Sequence, residues 1–282
     1  MKNFWVRLGS SITLVAIALL TVFYGGYILA AVLLFTSLFG YRELLVALKL
    51  TESVNRLKAN KGFKIIWLEN IGYLTITFYF IIMLVSGEVS LLFIVVILSL
   101  IVFMAGYVFS YPRYHIRQIM EAFFCVLYAP VMLFCIYLTR SLENGIFFVG
   151  LIFISSWICD SCAYCIGMLF GRNKLAPKLS PKKSVEGAIG GILGAMGAGA
   201  LYGAFIVNRL VPELSVTLSF AAICGIGAVI AQIGDLAASA IKRNYDIKDF
   251  GKLIPGHGGI MDRFDSVIFT APVIYFLALL VG

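Results

Sequence analysis

Long apolar runs, separated by short polar segments, follow one another along the whole chain. A helix that crosses a lipid bilayer needs about 20 mostly apolar residues. By that length, the pattern predicts helices near residues 9–24, 26–46, 66–86, 89–110, 120–139, 145–170, 185–207, 216–241 and 265–281. Only Gly25 and Gly26 separate the first two helices, so totals of eight or ten are the alternatives. We therefore predict an all-α, polytopic integral membrane protein with about nine transmembrane helices.

The composition agrees with lipid as the solvent for most of the chain. Of the 282 residues, 61% are hydrophobic and 13% are charged, whereas a soluble domain is about 45–50% apolar and about 25% charged. This apolar excess is larger than one buried core can hold. Because no polar segment is long enough to fold as a soluble domain, we predict a single membrane domain over residues 1–282.

Basic residues are unevenly distributed between the two sides that nine helices create. Nineteen of the 22 Lys and Arg residues fall on one side. That side comprises the N-terminus and the loops 47–65, 111–119, 171–184 and 242–264. The opposite loops contain only Arg140 and Arg209, and Arg42 lies inside a helix end.

This asymmetry predicts the orientation of the chain in the membrane. Because basic loops stay in the cytoplasm, we expect a cytoplasmic N-terminus. The net charge of +8 then sets the topology and contacts the anionic surface of the bilayer. Nucleic-acid binding is not expected, since the chain has no soluble basic domain and no aromatic platform.

Segment 185–207 is rich in glycine, with pairs four residues apart such as Gly187 with Gly191 and Gly199 with Gly203. Such pairs let helix backbones approach closely in lipid. We therefore predict tight helix packing here, and these small-residue faces are also compatible with a homodimer. A phosphate-binding loop is disfavoured, because no strand precedes the segment.

Three cysteines, Cys159, Cys162 and Cys165, lie three residues apart in one apolar segment. Cysteine clusters can bind metals, but both histidines of the chain, His115 and His257, are distant in sequence. Free cysteine also packs as a small apolar residue. We interpret the three cysteines as packing residues, with a metal site as the alternative.

Charges inside membrane helices are costly and usually functional, and the candidates weighed are Glu69, Glu121, Asp160 and Asp235. Glu69 and Glu121 lie close to helix ends, where an interfacial role is expected. Asp160 is equally compatible with a polar helix contact and with a substrate or metal role. Asp235 shares one helix face with Gln232, Ser239 and Lys242, because these residues are spaced by three, four and three. A carboxylate, neutral polar groups and a cation on one face are typical of a metal-bound phosphate site. A water-filled cavity in a transporter is the alternative.

The segment before the last helix combines glycines with acidic and basic residues. Gly258 and Gly259 allow backbone N–H groups to approach a ligand closely, and the N-terminus of the following helix favours phosphate. Asp262 and Asp265 lie three residues apart on either side of Arg263. Two acids beside a phosphate-friendly helix start suggest Mg²⁺ held by carboxylate and substrate oxygens. Simple helix capping is the alternative.

The loop 171–184 is the second polar segment of interest. It contains five basic residues, among them Lys182 and Lys183. Ser184 is a predicted N-cap of the next helix. The lysines would neutralise a triphosphate, and positive-inside anchoring is the alternative interpretation.

The run from Ser239 to Asp265 contains Ser-x-x-Lys-Arg and, after Lys248-Asp249, the pattern Pro-x-His-Gly-Gly-x-x-Asp-Arg-x-Asp. This run resembles the phosphatidate cytidylyltransferase family, also called the CDP-diacylglycerol synthase family. The segments 160–164, 180–187 and 232–236 are also similar to segments of that family. Together the matched segments cover the C-terminal half of the chain.

The resemblance implies the reaction CTP + phosphatidic acid → CDP-diacylglycerol + pyrophosphate at the cytoplasmic side of the cell (inner) membrane. It implies catalytic roles for Asp235, Lys242, Arg243, Asp262, Arg263 and Asp265. The resemblance also implies a substrate-binding role for Asp160, Lys182, Lys183, Ser184, Ser239, His257, Gly258 and Gly259. Asp235 and Asp262 are the expected ligands of Mg²⁺, with a second mono- or divalent cation as an option. Helices within 145–282 then carry catalysis, and 1–140 form N-terminal helices without an assigned role.

Two rival functions are weighed against this one. A related enzyme would transfer the nucleotide from CTP to another lipid, such as an isoprenoid ether lipid or a polyprenol. A cation-coupled transporter would explain Asp160 and Asp235, but it predicts repeated halves, and the sequence has no inverted repeat.

Overall fold

A computed structural model describes residues 2–50, 67–87, 91–211, 216–254 and 258–281 of the chain. Nine long helices lie within these ranges. They are α1 (Lys2–Tyr24), α2 (Gly26–Ala47), α3 (Trp67–Ser86), α4 (Leu91–Ser110), α5 (Ile116–Ser141), α6 (Gly145–Phe170), α7 (Val185–Leu210), α8 (Thr217–Asn244) and α9 (Met261–Val281).

The helices confirm the predicted class of an all-α, polytopic membrane protein. By length and composition, eight helices of the described residues can cross a membrane. The apolar part of α1, Thr13–Tyr24, is shorter than the other eight. A total of nine membrane crossings and a cytoplasmic N-terminus therefore stay predictions.

Three helices begin earlier than the hydrophobic pattern predicts, and the first of them is α1, which begins at Lys2 rather than near residue 9. Helix α5 begins at Ile116 rather than near residue 120, because the Gln118 side chain accepts a hydrogen bond from the His115 N–H at 3.0 Å and stabilises a polar first turn. Helix α9 begins at Met261 rather than at residue 265. Consequently Asp262 and Asp265 both lie in the first two turns of α9.

The loop 171–184, for which the sequence predicted no strand, contains regular structure. It forms an antiparallel hairpin of β1 (Lys174–Ala176) and β2 (Ser180–Ser184). A turn hydrogen bond from the Leu179 N–H to the Ala176 carbonyl, 3.1 Å long, connects the strands. A two-stranded ribbon consists only of edge strands, so it tolerates the proline at position 181.

The chain divides into two compact units, each made of separate segments. The first unit comprises Met1–Ile17, Tyr24–Phe134 and Ile247–Asp262, and the second comprises Ala18–Phe23, Cys135–Asp246 and Arg263–Gly282. The first unit therefore joins the N-terminal helices to the polar segment before α9. Its core includes edge-to-face contacts of Tyr79, Phe80 and Phe134, with ring centroids 4.9–5.8 Å apart.

Close backbone approach between α6, α7 and α8 forms the core of the second unit. A Cβ atom at Gly187 would lie 2.7 Å from the Ala163 carbonyl oxygen, and one at Gly191 would lie 2.8 Å from that of Cys159. A Cβ at Gly199 would lie 2.7 Å from the Phe220 carbonyl oxygen. Such distances leave no room for a side chain, so the predicted tight packing of the glycine-rich segment is confirmed.

Candidate active site

The hairpin is fixed to the start of α7 by two side chains of that helix end. Ser184 Oγ accepts a hydrogen bond from the Gly187 N–H at 3.1 Å, which confirms Ser184 as the N-cap. The Glu186 carboxylate accepts from the backbone N–H groups of Arg172 and Asn173 at 3.0 and 3.2 Å. It also accepts from Asn173 Nδ2 at 2.8 Å. The hairpin that presents Lys182 and Lys183 is therefore anchored at its base.

Lys183 is directed towards α8, where its ammonium group forms an ion pair with the Asp235 carboxylate. The two side chains are 27% and 23% exposed, so the pair is shielded but not sealed from solvent. Lys182, the preceding residue, is exposed. The structure thus brings together a basic residue of the hairpin and the central carboxylate of the α8 stripe.

A cavity of about 340 Å³ lies between the hairpin, α6, α7 and α8. This volume lies within the range of small-molecule sites, roughly 300–1,000 Å³. Its polar wall is formed by Asp160, Lys182, Lys183, Gln232 and Asp235. Its apolar wall includes Tyr164, Met168 and Leu175. Such a cavity suits a ligand that has both a charged group and an apolar part.

The four polar residues of the α8 stripe have different surroundings. Gln232 is buried, and its Nε2 donates to the Ala188 carbonyl at 3.0 Å, so its amide holds α8 against α7. Ser239 is half-buried one turn after Asp235. At the end of the stripe, Lys242 Nζ lies 4.0 Å from Asp265 Oδ2.

Three carboxylates and three cations of the second unit interact electrostatically. Asp160 interacts with Asp235, Lys183, Arg263 and the Ser266 side chain. Asp265 interacts with Asp235, Asp160 and Lys242. The acidic charges are thereby balanced by neighbouring basic groups, and an added phosphate would compete for those same cations.

Arg243 connects the end of α8 to the hairpin turn. Its Nε donates to the Leu179 carbonyl at 3.4 Å, while much of the side chain is exposed. Arg263, in the first turn of α9, is also exposed. Both guanidinium groups therefore retain surface on which they can contact an anion.

Asp262 organises the polar segment before α9 within the first unit. Its Oδ2 accepts hydrogen bonds from the Phe250 N–H at 2.8 Å and from the Gly259 N–H at 3.0 Å. Gly258 adopts a φ of +83°, a conformation that favours glycine. The Gly259 N–H, which the sequence assigned to a phosphate, is thus donated to Asp262. His257 lies outside the described residues, and its role stays a prediction.

Glu43, near the end of α2, is a residue that the sequence reasoning missed. Its Oε1 accepts from the Ile260 N–H at 3.0 Å and its Oε2 from the Met261 N–H at 2.9 Å. An acid within an apolar helix was the available signal. Nothing in the sequence links it to a segment 217 residues later.

The donor set fits an ion that shares its coordination with substrate phosphates. Mg²⁺ prefers hard oxygen ligands and usually takes one or two carboxylates together with phosphate oxygens. Across the described ranges, no group of three or more His, Cys, Asp or Glu residues is placed to hold a metal alone. Asp235 lines the cavity beside two lysines, whereas Asp262 belongs to the other unit.

Comparison with known proteins adds an independent observation. The family described as the cytidylyltransferase family matches residues 5–281. The chain is 34% identical over 140 residues to a phosphatidate cytidylyltransferase of Bacillus subtilis (strain 168), covering 49% of this chain and 50% of that protein. The protein of the same name from Thermotoga maritima is 33% identical over 125 residues, covering 44% and 46%.

A third relative, the phosphatidate cytidylyltransferase of Rickettsia felis, is 40% identical over 134 residues, covering 47% of this chain and 59% of that protein. The chain therefore spans about half the length of the curated relatives that it matches. The family match extends over nearly the whole chain, including the N-terminal helices, for which the sequence motifs carried no information.

Proposed function

We propose that this chain, which belongs to the cytidylyltransferase family, transfers the cytidylyl group of CTP to phosphatidic acid and releases pyrophosphate. One observation carries the proposal: a ligand-sized cavity is lined both by Lys182, Lys183 and Asp235 and by apolar side chains such as Met168. A lipid with a phosphate headgroup has this combination of charge and apolar surface. The names of the three relatives support the same reaction.

The proposed chemistry needs no strong base. A phosphate monoester has its second pKa near 6 and is largely dianionic at neutral pH. A phosphatidate oxygen attacks the α-phosphorus of CTP, a new P–O–P linkage forms, and the bond to the β-phosphate oxygen breaks. The electron pair of that bond leaves with pyrophosphate. The protein has to bring two anions together and stabilise the charge of the leaving group, so positioning and electrostatics provide the catalysis.

The basic residues of the site would hold the phosphates. We assign this role to Lys182, Lys183, Lys242, Arg243 and Arg263. Ser239, Ser184 and the Gly258 backbone are assigned to substrate binding, whereas the Gly259 N–H, also expected to bind substrate, is donated to Asp262. His257 is assigned to the pyrophosphate or to shaping of its loop. Asp160 and Asp265 orient neighbouring groups, since Asp160 interacts with Lys183 and Arg263 and Asp265 lies 4.0 Å from Lys242.

Mg²⁺ is the proposed cofactor, with Asp235 and Asp262 as its protein ligands and a second mono- or divalent cation as an option. When bound, Mg²⁺ neutralises charge on the triphosphate and on the leaving pyrophosphate. The carboxylate oxygens of this chain supply the hard donors that such an ion requires. Lys183 holds the Asp235 side chain on the cavity wall, which prepares that carboxylate for its role.

We further propose that the site faces the cytoplasm in the cell (inner) membrane. Nineteen of the 22 Lys and Arg residues lie on the side of the chain that bears the site, and basic loops stay in the cytoplasm. CTP is available on that side. A homodimer is also part of the proposal. Because Gly187, Gly191 and Gly199 pack against α6 and α8 within the chain, it would form through other small residues of α7, such as Gly197.

The test is a lipid panel with purified protein in lipid nanodiscs, CTP labelled at the α-phosphate and Mg²⁺. We expect label in the lipid product with phosphatidic acid, and far less with a polyprenyl phosphate or an isoprenoid ether lipid. Preferential labelling of either alternative lipid would assign the chain to the related class of CTP-dependent enzymes. Ion-dependent uptake by reconstituted vesicles, without any lipid labelling, would instead assign it to transport.

A further inference from the structure

We infer that Glu43 of α2 is a positioning residue that holds the Gly258–Asp262 turn, and with it the Asp262 carboxylate, in its working conformation. Four backbone N–H groups of this region have carboxylate acceptors. Glu43 accepts those of Ile260 and Met261, and Asp262 accepts those of Phe250 and Gly259. The two acids thus fix consecutive backbone positions of one turn.

The contact between Glu43 and the turn is closely fitted. A Cβ atom built at Gly259 or at Gly251 would overlap the Glu43 carboxylate. Glycine at both positions lets the backbone approach the carboxylate from two sides. Since both carboxylate oxygens accept an N–H, the Glu43 side chain is held in one orientation. A surface ion pair would have neither property.

Glu43 also accounts for the early start of α9. The first N–H groups of a helix lack partners within the helix, and an anion stabilises that end of the helix dipole. The Glu43 carboxylate supplies both the acceptors and the negative charge at Ile260 and Met261. The site that the sequence assigned to a phosphate is therefore filled by a carboxylate of the same chain.

A positioning role follows from the order of residues along the turn. The backbone of Met261 directly precedes Asp262, so a shift at residues 260 and 261 moves the Asp262 side chain. A change of about 1 Å in a reacting group can lower a rate about 10²-fold. The inference rests on the proposed function in one respect, namely that Asp262 has a catalytic role. It also assigns a role to the N-terminal helix α2.

The experiment compares E43Q with E121Q, a matched carboxylate-to-amide change in the same unit. Glu121 pairs with Arg117 at the start of α5 and has no place in the proposed site. Hydrogen exchange is measured by mass spectrometry on the purified full chain in detergent, on peptides that cover residues 258–265. We expect faster exchange there in E43Q only, because its amide group turns a donor towards one of the two N–H groups.

Kinetics provide the second readout. For E43Q we expect kcat to fall roughly 10–100-fold, the usual cost of losing an outer-shell partner, with little change in the KM for CTP. E43D keeps the charge but shortens the side chain by one methylene, so we expect an intermediate kcat. A general structural defect would not give E43D, which keeps the negative charge, a higher kcat than E43Q.

The outcomes separate this inference from the proposed function. If wild-type protein transfers no label from CTP to phosphatidic acid, the proposed function fails, and hydrogen exchange still decides whether Glu43 holds the turn. Wild-type exchange at 258–265 in E43Q overturns the inference. If E43Q exchanges faster throughout the chain, the comparison passes to E43D. A kcat and a hydrogen-exchange rate at residues 258–265 that both equal the wild-type values in E43D would then also overturn the inference.

Discussion

Lys183 of the hairpin and Asp235 of α8 form an ion pair on the wall of the cavity. A basic residue assigned to the triphosphate and a carboxylate assigned to the metal are thus each other's partners. A partly exposed pair of this kind contributes at most about 1 kcal/mol to stability. Under the proposed function, substrate phosphate and a metal ion would therefore replace this ion pair at small cost.

Replacing Lys183 with alanine is expected to raise the KM for CTP more than replacing Lys182. A hydrogen bond to a charged group is worth about 1.5–3 kcal/mol, or roughly tenfold or more in affinity. Lys183 has the further task of holding Asp235. K178A is the control, because Lys178 is exposed at the hairpin turn away from the cavity lining. An equal KM for K183A and K178A would remove the hairpin from the nucleotide site.

Glu186→Ala is expected to release the base of the hairpin. The Glu186 carboxylate accepts hydrogen bonds from three N–H donors of Arg172 and Asn173. Without them, trypsin should cleave faster after Lys174 and Lys178, as followed by mass spectrometry of limited digests. E143A is the matched control, since Glu143 is exposed in the turn before α6. Identical cleavage rates in the two variants contradict the anchoring role.

Asp262→Asn tests the carboxylate at the start of α9. If Asp262 binds Mg²⁺, the Mg²⁺ concentration needed for half-maximal activity should rise in D262N. Loss of a residue that only supports a metal ligand costs roughly 10–100-fold, so loss of the ligand itself should cost at least as much. Asp249, an exposed acid of the same segment, provides the D249N control. Turnover of D262N close to that of D249N would show that Asp262 is not a metal ligand.

Gly191→Ala is expected to destabilise the protein through overpacking. A Cβ at Gly191 would lie 2.8 Å from the Cys159 carbonyl oxygen and 3.0 Å from its Sγ. Overpacking of this kind costs about 1–3 kcal/mol, measurable as a lower Tm in detergent. Gly197 on the same helix has no such neighbour within 4 Å. G197A should therefore unfold at the wild-type Tm or slightly above it, and equal Tm values for both variants contradict the packing described.

Local patterns in the sequence predicted much of this structure. The helices followed from apolar runs, although α1, α5 and α9 begin earlier than those runs. The N-cap at Ser184 followed from its residue type, and the shared face of Asp235 and Lys242 from helical spacing. Each of these features depends on residues close together in the chain. The close packing at Gly191 followed from small residues four apart, for the same reason.

Features that depend on residues far apart in the chain could not be predicted from local sequence patterns. Glu43 accepts N–H groups more than 200 residues away, so neither its role nor the early start of α9 was predictable. Gln232 was grouped with the phosphate-binding stripe, but its amide donates to the Ala188 carbonyl of α7. The hairpin was missed because prolines and lysines disfavour strands locally, whereas Glu186 holds its base.

The most direct measurement follows two labels of CTP in parallel. Purified protein in nanodiscs receives phosphatidic acid, Mg²⁺ and CTP that carries ³²P at either the α- or the γ-phosphate, with D235N as the inactive control. The account predicts that the α-label enters the lipid and that the γ-label leaves as pyrophosphate. In D235N it predicts neither α-label in the lipid nor γ-label in pyrophosphate. Transfer of the γ-label to the lipid, or α-label transfer by D235N at the wild-type rate, would contradict it.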